Sequence, residues 1–190
     1  MRICGGHARG IILLSPKGTP LRPTTGALRE AVFSAIASEI VGAQFLDLCA
    51  GIGSYGLEAI SRGASGGTFV EKNRKFVPFL EKNLHNVARS TAVELDPFHI
   101  IACDMFTLRS TPRADVIFID PPYGALRENQ GLFISRVEEL IASNGGSICI
   151  FEMPSDLFPK FSPSIICKNI LGKMRGRDSP KALVLTGENE

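Results

Sequence analysis

The stretch Gln44-Phe45-Leu46-Asp47-Leu48-Cys49-Ala50-Gly51-Ile52-Gly53-Ser54-Tyr55-Gly56 decides the fold. Its first six residues form a short apolar run of strand type. The glycines at 51, 53 and 56 allow a tight turn, close approach of a ligand to the backbone, and close packing of the next helix on its strand. A strand, a glycine turn and a helix beginning near Tyr55 make the first half of a βαβ unit. The G-x-G-x-x-G spacing equally matches the dinucleotide fingerprint of dehydrogenases, so its meaning depends on the residues downstream of it.

The downstream chain repeats the same rhythm. Strands are expected near 44 to 49, 67 to 71, 98 to 103, 115 to 120 and 146 to 152, alternating with helices near 55 to 62, 73 to 87 and 128 to 143. That alternation predicts an α/β fold built on a parallel sheet. In the helix after Glu71, the residues Phe76, Val77, Leu80, Leu84 and Val87 form the buried stripe. Upstream, residues 2 to 5 and 10 to 14 pattern as a small hairpin. Thr24 or Thr25 can cap a helix in which Leu28, Val32, Ile36 and Ile40 recur every four residues. Two last strands, near 164 to 171 and 181 to 186, flank a basic loop containing Gly172, Gly176 and Pro180. With 190 residues at 44% hydrophobic content, residues 1 to 190 suit one well-cored domain with a short appendage.

Acidic residues end successive strands. Glu71 closes Phe69-Val70-Glu71, about twenty residues after the glycine turn, where a carboxylate can accept from two ribose hydroxyls. Asp104 closes Ile100-Ile101-Ala102-Cys103-Asp104 and suits an adenine amino group. After the β-branched run Val116-Ile117-Phe118-Ile119 comes Asp120-Pro121-Pro122-Tyr123, placed at the strand end where open α/β sheets bind ligands. Neither proline has a backbone N–H and Asp120 is a carboxylate, so the segment offers acceptors and almost no donors. Such a segment is suited to an amino group. If Asp120 and the carbonyl of Pro121 each accept one N–H of an exocyclic amine, the nitrogen lone pair points toward an electrophile, and Asp120 opposes the positive charge that develops. Tyr123 would offer a face for the base to stack on. A hydride-transferring enzyme has no use for this tetrapeptide.

In this order, the glycine turn, Glu71, Asp104 and Asp120-Pro121-Pro122-Tyr123 resemble the class I S-adenosylmethionine-dependent methyltransferases that act on amino groups. The resemblance implies a Rossmann-like, seven-stranded, mostly parallel sheet with an antiparallel C-terminal hairpin. It also implies that Ala50, Gly51 and Gly53 border the methionine part of the cofactor, Glu71 with Lys72 the ribose, and Asp104 with Met105 the adenine. Asp47 would face the cofactor's amino end directly or through water.

Three further stretches, Arg2-Ile3-Cys4-Gly5-Gly6-His7-Ala8-Arg9-Gly10, Leu21-Arg22-Pro23-Thr24-Thr25 and Arg29-Glu30-Ala31-Val32-Phe33, are similar to the amino-terminal signature of the small bacterial 16S rRNA guanine-N2 methyltransferases. Leu57-Glu58-Ala59-Ile60-Ser61-Arg62-Gly63-Ala64 extends the similarity, which covers most of residues 1 to 152. Gly26 stands where that family usually has an acidic residue, and Ser34 where an Asn is usual. The implied activity is methyl transfer from S-adenosylmethionine to N2 of a guanine in 16S rRNA or the small ribosomal subunit. Residues 1 to 40 would be the RNA-binding extension and 44 to 190 the catalytic core. Adenine N6 of DNA and a protein amide are alternative acceptors; a nucleotide-cofactor oxidoreductase and a silent RNA-binding module are more distant readings.

Charge supports a nucleic acid partner independently. Residues 1 to 29 contain Arg2, Arg9, Lys17, Arg22 and Arg29 with no acidic residue, a local charge of +5 against +2 for the whole chain, which leaves −3 for the remainder. Lys168, Lys173, Arg175, Arg177 and Lys181, against Asp178 alone, form a second basic cluster able to meet phosphates. Arg9, Arg22, Thr24 and Arg29 are the expected RNA contacts, because a guanidinium can grip a phosphate bidentately or stack on a base. The cysteines at 4, 49, 103, 149 and 167 have no metal-ligand or redox spacing, and Cys49, Cys103 and Cys149 are expected in core strands. His7, His85 and His99 are scattered. No metal, no membrane span, a cytoplasmic location and a monomer are the expectations.

Overall fold

In the computed structural model, residues 1 to 18, 26 to 108, 110 to 172, 176 and 178 to 188 are described. The five apolar runs become β1 (Gln44–Leu48), β2 (Gly66–Val70), β3 (Phe98–Ile101), β4 (Val116–Ile119) and β5 (Ile148–Pro154). They pair in parallel in the order β3-β2-β1-β4-β5. The sheet is completed by β7 (Pro180–Gly187) and β6 (Ile165–Gly172), which join antiparallel to give seven strands ordered β3-β2-β1-β4-β5-β7-β6. The order reverses beside β1, between its neighbours β2 and β4, and a parallel sheet opens a ligand crevice at such a switch point.

Alternation along the strands divides the core into two layers. Phe45, Phe69, Phe98 and Phe118 face α3 (Ser54–Ser61), α4 (Val77–Thr91), the N-terminal arm and α1 (Gly26–Ala35). Leu46, Leu48, Ile117, Ile119 and Phe151 face α5 (Tyr123–Glu128) and α6 (Gln130–Ser143). Gly56 is where α3 comes closest to the sheet: a Cβ there would lie 2.3 Å from the Phe69 ring and 2.7 Å from that of Phe45.

The structure moves several expected boundaries. The helix expected from Thr24 or Thr25 is α1 followed, after a break at Ile36, by α2 (Ala37–Ile40), and Leu28, Val32, Ile36 and Ile40 are all buried. The threonines lie outside the described residues. The helix expected over 73 to 87 begins at Val77 because the chain first turns at Asn73, whose side-chain oxygen accepts the Lys75 N–H. The expected hairpin at 2 to 5 and 10 to 14 is reduced to a bridge between Arg2 and Ile12, with Ile3 and Ile11 joined by an N–H to carbonyl bond of 2.9 Å.

This arm is fastened to α3 chiefly through a buried carboxylate and a serine. Glu58 is fully buried and accepts from the backbone N–H groups of Cys4 and Gly5, both at 2.7 Å, from Arg62 at 2.9 Å and from Arg29 at 3.4 Å. Ser61, at the last turn of α3, accepts from Ala8 N–H and donates to the Gly5 carbonyl. Removing one member of a buried ion pair leaves the other charge stranded, at a cost of about 3–5 kcal/mol. Glu58→Ala is therefore expected to lower the unfolding free energy by about that amount in urea titration. A loss below about 1 kcal/mol would show that the arm is held by its apolar contacts instead.

Candidate cofactor and substrate site

A cavity of about 450 Å³ opens at the carboxyl ends of β1 to β4. Four consecutive strand ends line it: Cys49 to Gly51, Glu71 to Asn73, Cys103 to Phe106, and Asp120 to Ala125. The expected residues Ala50, Gly51, Glu71, Lys72, Asp104, Met105, Asp120, Pro121, Pro122 and Tyr123 are thus brought together.

The glycine turn and the acidic strand ends hold each other. Gly51 adopts φ +58 with open space where a side chain would stand, and its N–H donates to Glu71 Oε2 at 2.6 Å. The other oxygen of Glu71 accepts the Asn73 N–H at 2.6 Å, so this carboxylate ties the turn after β1 to the turn after β2. Asp104 accepts the Phe106 N–H at 3.1 Å and meets the exposed Lys72 ammonium at 3.2 Å. Phe106 packs edge-on against Phe133 of α6, with ring centroids 5.0 Å apart, and both rings bound the cavity.

Two expected cofactor residues lie off the cavity wall. Asp47 is 1% exposed, and its Oδ2 accepts the Gly56 N–H at 2.9 Å within the first turns of α3. It fixes the helix start from beneath. Burial raises its pKa to about 8 against the Gly56 bond that opposes it, and the charges of Asp120 and Glu71 raise it further. Gly53 turns toward the helices: its missing side chain would meet Leu80 and Leu57, so it serves packing.

Asp120 is half-buried, Pro121 and Tyr123 are buried and Pro122 is exposed. The Pro122 carbonyl accepts the Leu126 N–H at 3.0 Å and starts α5, a helix the sequence pattern did not predict because the two prolines mask its first turn. Tyr123 is 6% exposed and its ring forms part of the cavity wall, so a base would meet its face only from inside the cavity. Beneath this corner, the Tyr55 hydroxyl donates to Glu152 at 2.7 Å and its ring stacks on Phe118 at 5.2 Å. Burial pushes the Tyr55 phenol well up, and the Glu152 and Asp120 charges add to the effect.

The sulfur groups depart from expectation. Only Cys149 is a core-strand residue; Cys49 and Cys103 are half-buried just past their strands and line the cavity. The Cys49 thiol, 3.5 Å from Met105 sulfur, is raised by burial and then by the surrounding carboxylates.

Among the expected RNA contacts, Arg9 is exposed, at the arm turn packed on the last turn of α3. Arg29 is a correction. It is 1% exposed, paired with Glu58 and donating to the Arg2 carbonyl and to Cys4 sulfur, so it offers no guanidinium to a phosphate. Lys181 of the second basic cluster is likewise buried. Arg22, Thr24, Lys173, Arg175 and Arg177 lie outside the described residues. The structural roles of the buried carboxylates Glu58 and Glu152 escaped the sequence pattern, since Cys4, Gly5 and Arg29 on Glu58 and Tyr55 on Glu152 all lie far off in sequence. Among the described residues no group of three His, Cys, Asp or Glu side chains could hold a metal ion, and no helix is long and apolar enough to cross a membrane.

The family described as Conserved hypothetical protein 95 has a model that matches residues 1–161. "Ribosomal RNA small subunit methyltransferase D" of Escherichia coli (strain K12) is 40% identical over 134 residues, which is 70% of this chain and 66% of that protein. The chain thus matches just under two thirds of that relative's length. "Putative rRNA methyltransferase YlbH" of Bacillus subtilis (strain 168) is 32% identical over 129 residues, 65% of this chain and 67% of that protein. The solved structure of a "Putative methyltransferase yhhF from Escherichia coli" shares the fold with a TM-score of 0.78 and 27% identity, covering 100% of this chain and 99% of its own. The chain belongs to the Conserved hypothetical protein 95 family and carries it on the mostly parallel seven-stranded sheet of the class I methyltransferases.

Proposed function

We propose that the chain is an S-adenosylmethionine-dependent methyltransferase acting on small-subunit ribosomal RNA, with N2 of a guanine as the acceptor. One observation carries the reading: the proton-poor corner Asp120-Pro121 and the Gly51 turn line the same cavity of about 450 Å³. The names of the relatives support the substrate class, and the amino-terminal signature supports the guanine.

The residues present fit the cofactor. The cavity lies within the roughly 300–1,000 Å³ usual for small-molecule sites. Open space at Gly51 admits a ligand against the backbone, and the carboxylates around it favour a cation. Ala50 and Gly51 would border the amino-acid part, Glu71 and Lys72 the ribose, and Asp104 with Met105 the adenine. When bound, S-adenosylmethionine supplies an electrophilic methyl group on a positively charged sulfur.

This chain's residues then position the acceptor. The Pro122 carbonyl is committed to α5, so Asp120 and the Pro121 carbonyl receive the two N–H groups of the amine. Held so, the amine directs its lone pair into the cavity. Asp120 opposes the charge that develops on nitrogen, a stabilisation set in advance by the end of β4. Orientation of this kind contributes about 7–11 kcal/mol toward a bimolecular barrier.

Full-length protein incubated with labelled cofactor and small-subunit rRNA should deposit label in N2-methylguanosine on nucleoside mass analysis. Label in another nucleoside, or none, overturns the assignment. Asp120→Ala is expected to slow transfer by at least about a hundredfold while the cofactor still raises the melting temperature.

Asp47 gives a pH test of the buried carboxylate cluster. Its folded pKa of about 8 lies above the ordinary 3.8, so its proton is held more tightly in the folded state. Its contribution to stability is complete below the ordinary value and is lost as pH rises through about 8. Asp47→Asn keeps an oxygen for Gly56 and removes the charge. The variant is expected to gain on the wild type in urea titrations as pH rises from about 5 to about 9. Parallel stability curves would falsify the assignment of that titration to Asp47.

A further inference from the structure

The region beyond the end of β4 contains a feature that neither the cavity nor the arm accounts for. In register, Ile119 at the end of β4 lies beside Phe151, and β5 continues to Pro154. The chain from Ser155 therefore emerges past the level of Asp120, on the catalytic side of the sheet. It is roped to α5. Arg127, one turn after Tyr123, grips Asp156 with two bonds of 2.8 Å and Asp178 with one of 3.1 Å. Ser155 adds bonds to the carbonyls of Gly176 at 2.7 Å and Ser179 at 2.8 Å.

On this anchored segment Phe158 stands 69% exposed. Its ring is not loose: the Lys181 ammonium lies 4.2 Å from the ring centroid and donates to the carbonyls of Ser155 and Leu157. Singly exposed apolar side chains are ordinary on protein surfaces. A ring backed on one face by a buried cation, and joined through Asp156 and Arg127 to the helix that begins at Tyr123, is a built feature. The cation draws on the electron-rich face of the ring, which leaves the opposite face suited to an electron-rich flat partner.

We propose that Phe158 is a stacking platform for an unpaired nucleobase of the RNA substrate next to the methylated nucleotide. This rests on the RNA methyltransferase reading and names one of its substrate contacts. An enzyme that works on a base edge must take that base out of its stack, which strips a neighbouring base of its partner. Phe158 replaces that partner. Tyr123, in the cavity wall, meets only a base that enters the cavity, so the neighbouring base needs a second platform outside it. The same chemistry favours RNA loops and bulges, whose bases are already splayed.

Steady-state kinetics with small-subunit rRNA test the assignment in wild type, Phe158→Ala, Phe158→Leu and Phe158→Trp. Phe158→Ala is expected to raise KM for RNA on the order of ten- to a hundredfold, with kcat lowered less than about threefold. The cofactor-induced rise in melting temperature should be unchanged. Phe158→Leu keeps apolar bulk without a π face and should resemble Phe158→Ala, whereas Phe158→Trp should restore KM. An unchanged KM in Phe158→Ala overturns the platform and leaves the methyltransferase reading intact. A wild-type KM in Phe158→Leu overturns it too, and points to a general apolar contact such as a protein surface. If the wild type itself transfers no methyl group to RNA, the functional reading fails first and this proposal with it.

Discussion

Everything at the cavity edge of this sheet depends on packing several carboxylates into a small, half-dry crevice. Asp47, Glu71 and Asp120 lie close enough that the charges of the other two raise the pKa of Asp47, on top of the larger effect of burial. Close like charges in a poorly solvated site cannot all ionise at no cost. The backbone offsets part of that cost. Gly56, Gly51 and Asn73 each give an N–H to one of these carboxylates, Gly51 and Asn73 from the two turns that shape the cavity and Gly56 from the start of α3. Turn geometry and acidic charge are therefore one device: the carboxylates hold the turns, and the turns make the carboxylates tolerable. The remaining negative potential favours a cationic occupant.

This device is also why so much of the site was legible in the sequence. Glycines that permit the turn and acids that end strands are forced to particular offsets by the βαβ geometry, so they stand out in a single chain. The α/β class and the parallel strands follow from β-branched and aromatic runs that can only be buried on both faces, as Val116 to Ile119 are. Helix boundaries were less legible. Residues recurring every four positions from Leu28 to Ile40 match one long helix, yet two short helices broken at Ile36 bury the same side chains. Periodicity reports a buried face and is silent about a break that preserves it.

The larger misreading concerned positive charge. Counting residues gives the first 29 positions a charge of +5, but Arg29 is spent inside the protein on Glu58, an acid 29 positions away on α3. Lys181 in the second cluster is spent on the carbonyls of Ser155 and Leu157. Composition cannot separate a cation that meets solvent from one that staples an arm or a loop. Nor can it show that Asp47 and Gly53, spaced as a cofactor site would need, stand behind the cavity and fix the start and packing of α3.

Under the RNA methyltransferase reading proposed above, removing those two cations from the surface changes what RNA recognition would rest on. Phosphate contacts supply affinity in proportion to the charges that release counterions, and each lost contact weakens binding without regard to sequence. Arg2, Arg9 and Lys17 remain exposed on the arm, and Arg9 sits on the turn packed against the last turn of α3, a helix that starts at the cavity and runs away from it. On that proposed reading they would grip phosphates and so orient the substrate more than select its base. Under that reading, selection would fall to the edge that holds Asp120, where the protein offers lone pairs, the cavity wall at Tyr123 and the tethered segment after β5. The Arg127 clamp ties that segment to α5, so a base docked on Phe158 and an amine entering the cavity would be held in one frame.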